Sequence, residues 1–423
     1  MKNKLWVLAL LATTSSFAQT NAMLTWEQCL EKTRFYNPDL ISARAAVKEL
    51  EYGVSSASSG FLPQVSASAS ANYGQEEDSD QWSESKGASG QLSLSQDLYS
   101  GGSNFAKRNR SLAQLDIGHE QYRSTLSDVE LRTRLAYIEV LYTQDLIKLT
   151  ETIDDRRAAN VRLIQLRFDG GRENAGSLAR TKAQLSQAEY EANEAKRALN
   201  YARRNLAAAI GVTIPVEGVQ GDLQAAAPED LMDLESLMKQ TPTYSIAWTQ
   251  IEASKQGLKV TRSQRFPTVR FSADVATRTS TFNSYDGSWG IGLSASVPLF
   301  TGHRISSEVA AVKEQIIQDE MSLMDTSNTL LASLQEQWNS YANAVESEAV
   351  QKELFAAEQL RAKISTAKYK QGLLSYEDWD TIESTLITQG KTHLQRRRSS
   401  EVEQARWKNA LGLSIWQTTE TRK

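Results

Sequence analysis

The chain carries the same order of turns twice, and any fold it adopts must respect that repeat. Pro38 in Tyr36-Asn37-Pro38 answers to Pro242 in Gln240-Thr241-Pro242, and Pro63 in Phe61-Leu62-Pro63 answers to Pro267 in Phe266-Pro267. Both pairs stand about 204 positions apart. Farther on, Leu98-Tyr99-Ser100-Gly101 matches Leu299-Phe300-Thr301-Gly302, Phe168-Asp169-Gly170-Gly171 matches Tyr369-Lys370-Gln371-Gly372, and Ala209-Ile210-Gly211-Val212 matches Ala410-Leu411-Gly412-Leu413. These three pairs are about 201 apart. A slip of about three residues between Pro63 and Leu98 is what one loop absorbs.

The 7 prolines all fall at joints of this pattern. Between Ser103 and Asp169 there is no proline and only Gly118, and between His303 and Gln371 there is neither residue. Proline costs about 3 kcal/mol and glycine about 1 kcal/mol inside a helix, so these clean stretches predict uninterrupted long helices over 102–169 and 303–370. Leu131, Leu135, Ile138, Tyr142, Leu146, Leu149 and Ile153 alternate steps of three and four, continued by Val161, Ile164 and Phe168, which is the rhythm of a coiled-coil seam. A helix of about 67 residues reaches about 100 Å. Two shorter stretches flank it in the first repeat, 25–60 and 172–210, with a summed length of about 110 Å. One long helix beside two short ones laid end to end makes a closed antiparallel pair. The mean hydropathy of -0.46 fits long helices that bury a narrow seam.

Between the first short helix and the long one the period changes from 3.6 to 2. Val65, Ala67, Ala69, Ala71 and Tyr73 alternate with Gln64, Ser66, Ser68, Ser70 and Asn72; after a polar loop Gly74 to Gly87, Gly90, Leu92 and Leu94 alternate with Gln91, Ser93 and Ser95. The second repeat sets Val269, Phe271, Ala273 and Val275 against Arg270, Ser272, Asp274 and Ala276, then Trp289, Ile291, Leu293, Ala295 and Val297 against Gly290, Gly292, Ser294 and Ser296. The strands have the length that a tilted strand needs to cross a bilayer, about 9–11 residues. Two soluble hairpins packed on a core are the competing reading. Aromatics at strand ends (Tyr73, Phe266, Trp289, Phe300) and the polar loop Glu76-Glu77-Asp78-Ser79-Asp80 favour the membrane. Four strands cannot close a barrel alone, and open edges in hydrocarbon are costly, so several copies must share one. A dimer of eight strands and a trimer of twelve both satisfy that condition.

Lys2 and Lys4 precede the apolar run Leu5 to Ala12, then small residues and Ser16-Phe17-Ala18. That order predicts a signal peptide over 1–18, with Ala22 the alternative end, and hence an exported protein. The lone cysteine, Cys29, cannot form an internal disulfide, and Trp26-Glu27-Gln28 before it is unlike a lipidation site; a buried or half-buried helix residue is expected. After the leader no apolar run of about 18 residues occurs. The net charge of -4 gives no electrostatic case for nucleic acid. His119, His303 and His393 are scattered without metal-ligand spacing, and no nucleophile motif or phosphate-binding turn appears. Neither an enzyme nor a cofactor is expected.

The duplicated helix–hairpin–helix plan, the Pro-marked strand starts, the exits Leu98-Tyr99-Ser100-Gly101-Gly102 and Pro298-Leu299-Phe300-Thr301-Gly302, and the Gly-marked helical turns together resemble the TolC-like outer-membrane efflux family over essentially the whole mature length. The resemblance implies a mixed, mostly α fold. Duplicated coiled-coil helices form an α-barrel, and one β-hairpin per repeat joins a shared transmembrane β-barrel. It divides the chain into a first repeat over 23–215 (hairpin 62–98, return helix 172–210), a linker 216–230, a second repeat over 231–416 (hairpin 267–299, return helix 373–412) and a tail 417–423. It further implies a homotrimer in outer-membrane lipid that serves tripartite efflux or type I secretion, docking to a periplasmic adaptor linked to an inner-membrane pump or exporter. A periplasmic coiled-coil structural or adaptor protein is the alternative.

By the same resemblance Gly170, Gly171 and Arg172, and Gly372, Leu373 and Leu374, are the adaptor-docking tips, the first departing from the usual glycine-then-apolar order. Asp378, flanked by Glu377 and Asp380, occupies the place of an acidic ring at the pore constriction, while a second family aspartate falls on Thr381. Glu383 is expected to point outward.

Overall fold

A computed structural model describes residues 23–78, 81–230, 233–280 and 284–414. The expected leader and the 417–423 tail lie outside the described residues.

The first repeat runs α1 (Trp26–Tyr36), α2 (Pro38–Ser58), a 3-10 turn (Ser59–Phe61), β1 (Gln64–Asp78), β2 (Gln81–Ser100), α3 (Ser103–Asp169) and α4 (Ala175–Ile210). The second runs α5 (Leu234–Gln240), α6 (Pro242–Ser263), β3 (Thr268–Thr279), β4 (Asp286–Ser296), α7 (Arg304–Lys370) and α8 (Tyr376–Ala410). α3 and α7 have 67 residues each, so each spans about 100 Å.

The expected single helix over 25–60 is two helices, because Pro38 cannot donate to the turn before it. Asn37 bridges them. Its side chain accepts from the N–H groups of Asp39 and Leu40, and its amide donates to the Ala209 carbonyl at 2.8 Å. Thr241 and Pro242 repeat the device between α5 and α6. Gly211, at φ 93°, ends α4 against this joint: a Cβ there would lie 2.5 Å from the Tyr36 carbonyl oxygen. Gly412, at φ 64°, ends α8 in the same way against Pro242. Each repeat thereby seats its return helix on the start of its short helix.

α3 packs against α2 and α6 along its upper half and against α4 and α8 along its lower half, while α7 packs against α5, α6 and α8. The expected seam is buried in part, at Ile138, Ile153 and Ile164, and with neighbours on several sides a second line of α3 positions is buried beside it. Val129, Thr133, Ala136, Val140, Thr143, Thr150, Arg157, Asn160 and Ile164 are buried, while Leu131, Leu135, Leu146 and Leu149 are only half-buried. The main core joins α1, α3, α4 and α8 to the 216–223 stretch through Ile138, Val140, Leu206, Ile210, Val219 and Leu223. The linker is therefore a strap. Leu24 pairs in parallel with Val219, and Tyr341 donates to the Ala226 carbonyl at 2.7 Å. Cys29 is fully buried in this core, and burial pushes its thiol up to about 12.

The four strands form one antiparallel sheet in the order β1-β2-β3-β4. The stretch from Gly74 to Gly87, expected as a loop, is a paired ribbon from Asn72↔Gly87 to Asp78↔Gln81. β3 leaves β2 at Ala88, so this ribbon projects alone by about 24 Å. Backbone pairing in water needs no apolar face, which is why polar residues sustain it.

Candidate functional site

Two features could build a conduit: the faces of the sheet and the joined ends of the helices. Register places Val65, Leu94, Ala273 and Ile291 in one row across the sheet, and Ala67, Leu92, Val275 and Trp289 in the next row of the same face. The opposite face carries Gln64, Ser95, Ser272 and Gly292, then Ser66, Ser93, Asp274 and Gly290. Ser66 bonds Ser93 at 2.7 Å, Ser70 bonds Ser89 at 2.8 Å, and Arg270 meets Asp97 at 2.7 Å on this polar side. A register shift between Asp97 and Tyr99 steps over Leu98 and turns Tyr99 toward the apolar face beside Val269. The apolar face is bare in one copy: Trp289 is 76% exposed and Ile291 and Leu293 are each 68% exposed. β1 and β4 are the open edges. No described helix is long and apolar enough to cross a membrane.

At the far end α3 and α7 reverse side by side. Gly171 and Gly372 take φ of 67° and 79°, and the closing bonds run from Arg172 N–H to the Arg167 carbonyl (2.8 Å) and from Leu373 N–H to the Lys368 carbonyl (2.9 Å). Both are glycine-ended helix stops that satisfy otherwise orphaned carbonyls. A Cβ on either glycine would meet nothing within 4 Å, so backbone conformation alone demands glycine within one copy. Gly170, Gly171, Arg172, Gly372 and Leu373 are exposed, whereas Leu374 turns in against the Ile164, Leu178, Tyr369 and Trp379 core.

The two turns are tied together. Arg167 donates to the Tyr369 carbonyl at 2.9 Å and lies 4.4 Å over the Tyr369 ring, which stacks on Trp379 at 4.6 Å. Tyr369 donates its hydroxyl to Glu173 at 2.7 Å. Burial and the bonded Glu173 carboxylate push the Tyr369 phenol far above its ordinary value. Burial raises the Glu173 carboxyl, but bonds from Tyr369, the Asn174 backbone and Ser177, with the charge of Arg167, outweigh it and hold Glu173 below the usual range.

The three acids after the second turn part company. Asp378 is exposed in the first turn of α8, its N–H bonded to Ser375 Oγ at 3.1 Å, and Glu377 is exposed beside it. Asp380, expected with them at the constriction, is 3% exposed and faces inward. Arg180 meets it at 3.0 Å, Gln184 at 3.0 and 3.2 Å, and Arg157 at 3.7 Å. Glu383 does not point outward either. It is 1% exposed, gripped by Arg156 through bonds of 2.6 and 2.8 Å, with Asn160 at 3.3 Å and Thr366 at 3.0 Å. Burial lowers the Arg157 guanidinium, and Asp380 and Glu383 pull it back up. This ionic cluster was missed in the sequence. Its signal is there: Arg157 and Asn160 fall on the same three-four rhythm as Thr150 and Ile164. Among the described residues no group of His, Cys, Asp and Glu could hold a metal ion.

The sequence profile of the family described as outer membrane efflux protein matches residues 30–212 and 234–413, one block for each repeat. The chain belongs to that family. The efflux protein is 25% identical over 338 residues to the outer membrane efflux protein BepC of Brucella suis, covering 77% of this chain and 71% of BepC. It is 22% identical over 297 residues to the fusaric acid resistance protein FusA of Burkholderia cepacia, spanning 55% of FusA. In fold it is similar to solved structures of CusC (TM-score 0.82, 16% identity, 92% of each chain) and of VceC from Vibrio cholerae (TM-score 0.76, 18% identity, 92% of this chain and 96% of that one). The efflux protein is thus an outer-membrane channel component built as duplicated α-helical hairpins with a β-hairpin in each. The soluble coiled-coil alternative falls away.

Proposed function

We propose that three copies close a twelve-stranded β-barrel in the outer membrane and continue it into the periplasm as one α-helical tube, a passive duct for tripartite efflux or type I secretion. The observation that carries this reading is the two-faced sheet with open edges. Its apolar face matches lipid, its polar face matches a water-filled lumen, and its edges need partners. α7 supports it with an exposed stripe of Val350, Leu354, Leu360 and Ile364 along its lower half. α4 offers the small residues Ala175, Ala179, Ala183 and Ser186, all exposed, on which a second copy's stripe can pack. At the tip, Gly170, Gly171, Arg172, Gly372 and Leu373 are open to a periplasmic adaptor that connects to an inner-membrane pump or exporter. Leu374 backs the turn from inside.

Glu377 and Asp378 are the acids of the 377–380 set left exposed, Asp378 is fixed by its bond to Ser375, and repeated in three copies at the axis it forms a ring that favours cations. Screening limits such a ring to about 8 Å at physiological salt. Single-channel conductance of Asp378→Asn against the parent tests this: cation preference falls at low salt and converges with the parent at high salt. Equal selectivity at low salt places the constriction elsewhere.

A further inference from the structure

We propose that Arg108 on α3 and Lys259, Arg262 and Arg265 at the end of α6 form a basic collar just below the strands that binds anionic phospholipid headgroups of the periplasm-facing leaflet. The inference rests on the outer-membrane duct reading above.

Farther down the helices, cations find acids: Arg132 pairs with Asp39, Arg134 with Glu401, Arg156 with Glu383 and Arg398 with Glu139. Next to the strands there are none to find. No Asp or Glu occurs from Leu98 to Leu115 or from Ala253 to Ala273, and Asp97 is taken by Arg270. Arg108, Lys259, Arg262 and Arg265 are all exposed, and none makes an ion pair or hydrogen bond to a described residue. The backbone draws them together. A Cβ on Gly101 would stand 2.7 Å from the Ser263 carbonyl oxygen, so the start of α3 lies against the end of α6.

Spacing sets the direction these cations face. Trp248, Lys255, Lys259 and Arg262 step by seven, four and three along one face of α6, and Phe105, Arg108, Leu112, Asp116, His119 and Arg123 keep three-four steps along one face of α3. Both faces run down to α5. Asp116, His119 and Trp248 line a groove with Lys239, and Arg123 donates to the Gln240 carbonyl at 2.6 Å. α6 is flanked by α3 and α7 of its own copy, so side-by-side packing of a second copy leaves this face bare. Three copies of α5 and of the strap leading into it would obstruct the duct if turned inward. The collar is therefore on the outer wall.

Its depth fits a headgroup layer about 5–8 Å thick. Arg108 stands about 8 Å past the start of α3, and Lys259 about 6 Å before the end of α6. Long basic side chains extend that reach while their stems cover apolar surface. Immediately above, Leu299 is 93% and Phe300 82% exposed, with Leu62, Phe105 and Phe266 also bare, an apolar rim for the acyl boundary. Guanidinium groups held unpaired under such a rim match lipid phosphate, which they grip with two parallel bonds. A net negative headgroup also offsets the repulsion among the four cations, as a zwitterionic one cannot.

The test titrates phosphatidylglycerol or phosphatidylcholine into the assembled protein in neutral detergent and counts retained lipid by native mass measurement. The parent retains phosphatidylglycerol in preference. Arg108→Gln, Lys259→Gln and Arg262→Gln each weaken that retention about fivefold and the triple variant about a hundredfold, without loss of assembly. The preference shrinks as salt rises. Lys363→Gln, which removes an exposed cation near the tip, leaves retention unchanged. Equal retention of the two lipids by the parent, or full retention by the triple variant, overturns the proposal and leaves the duct standing. Displacement of the lipid by equimolar inorganic phosphate overturns lipid as the occupant. A protein released from membranes by salt, without detergent, overturns the duct and the collar together.

Discussion

Where the first repeat has Gly102 at the entrance to its long helix the second has His303, and both take left-handed backbone, φ 83° and 66°. A side chain with a Cβ is strained there by about 1–2 kcal/mol, offset in part by the greater freedom that glycine has in the unfolded chain. His303→Gly should therefore stabilise by about 0.5 kcal/mol and Gly102→His should destabilise by a similar amount, read as opposite shifts of the melting midpoint. At the tip, Gly372→Trp adds bulk where a Cβ meets nothing in one copy. The expected outcome is intact oligomer with lost adaptor crosslinking and export; unchanged crosslinking would remove the docking role. The tip glycines and Cys29 were legible because turn chemistry and signal context are local. The inward set of Asp380 and Glu383 was not, since their partners Arg156, Arg157 and Arg180 lie about 200 or more positions away. An acid on a helix reads alike whether it faces water or a guanidinium on another helix.

Helix lengths were the most legible feature, because a missing proline or glycine is an unambiguous sign over a 67-residue span. The line of burial was less so. A single amphipathic seam presumes one neighbour, whereas α3 touches five other helices, and residues as small as Ala136 and Thr143 become buried. Strand faces were read correctly from alternation, but the ribbon through Glu76 and Lys86 looked like a loop, since its pairing is made by backbone and leaves no apolar trace. The faces can be tested directly. Ile291 pairs with Ala273 midway along β3–β4 on the apolar side, and Ser288 lies on the polar side. Ile291→Arg should cost about 2–4 kcal/mol and sharply lower the yield of assembled protein, while Ser288→Arg should cost little. Equal losses at both positions would deny that the sheet has a lipid side.

For the whole molecule, the duplicated plan leads to a geometric demand: two hairpins give four strands, and four strands with open edges at β1 and β4 are an unfinished wall. The helices share that incompleteness, with bare apolar residues on α7 and a small-residue face on α4. Sequence physics left eight and twelve strands equally open, because closure depends on strand tilt and on contacts between copies that no single chain encodes locally. Family membership accounts for the channel; the shared barrel is the claim on which the duct stands. Native mass measurement of the protein extracted in detergent tests it most directly. The account predicts one species of three protomer masses, with free protomer appearing only as secondary structure is lost. A stable, folded single protomer would contradict it.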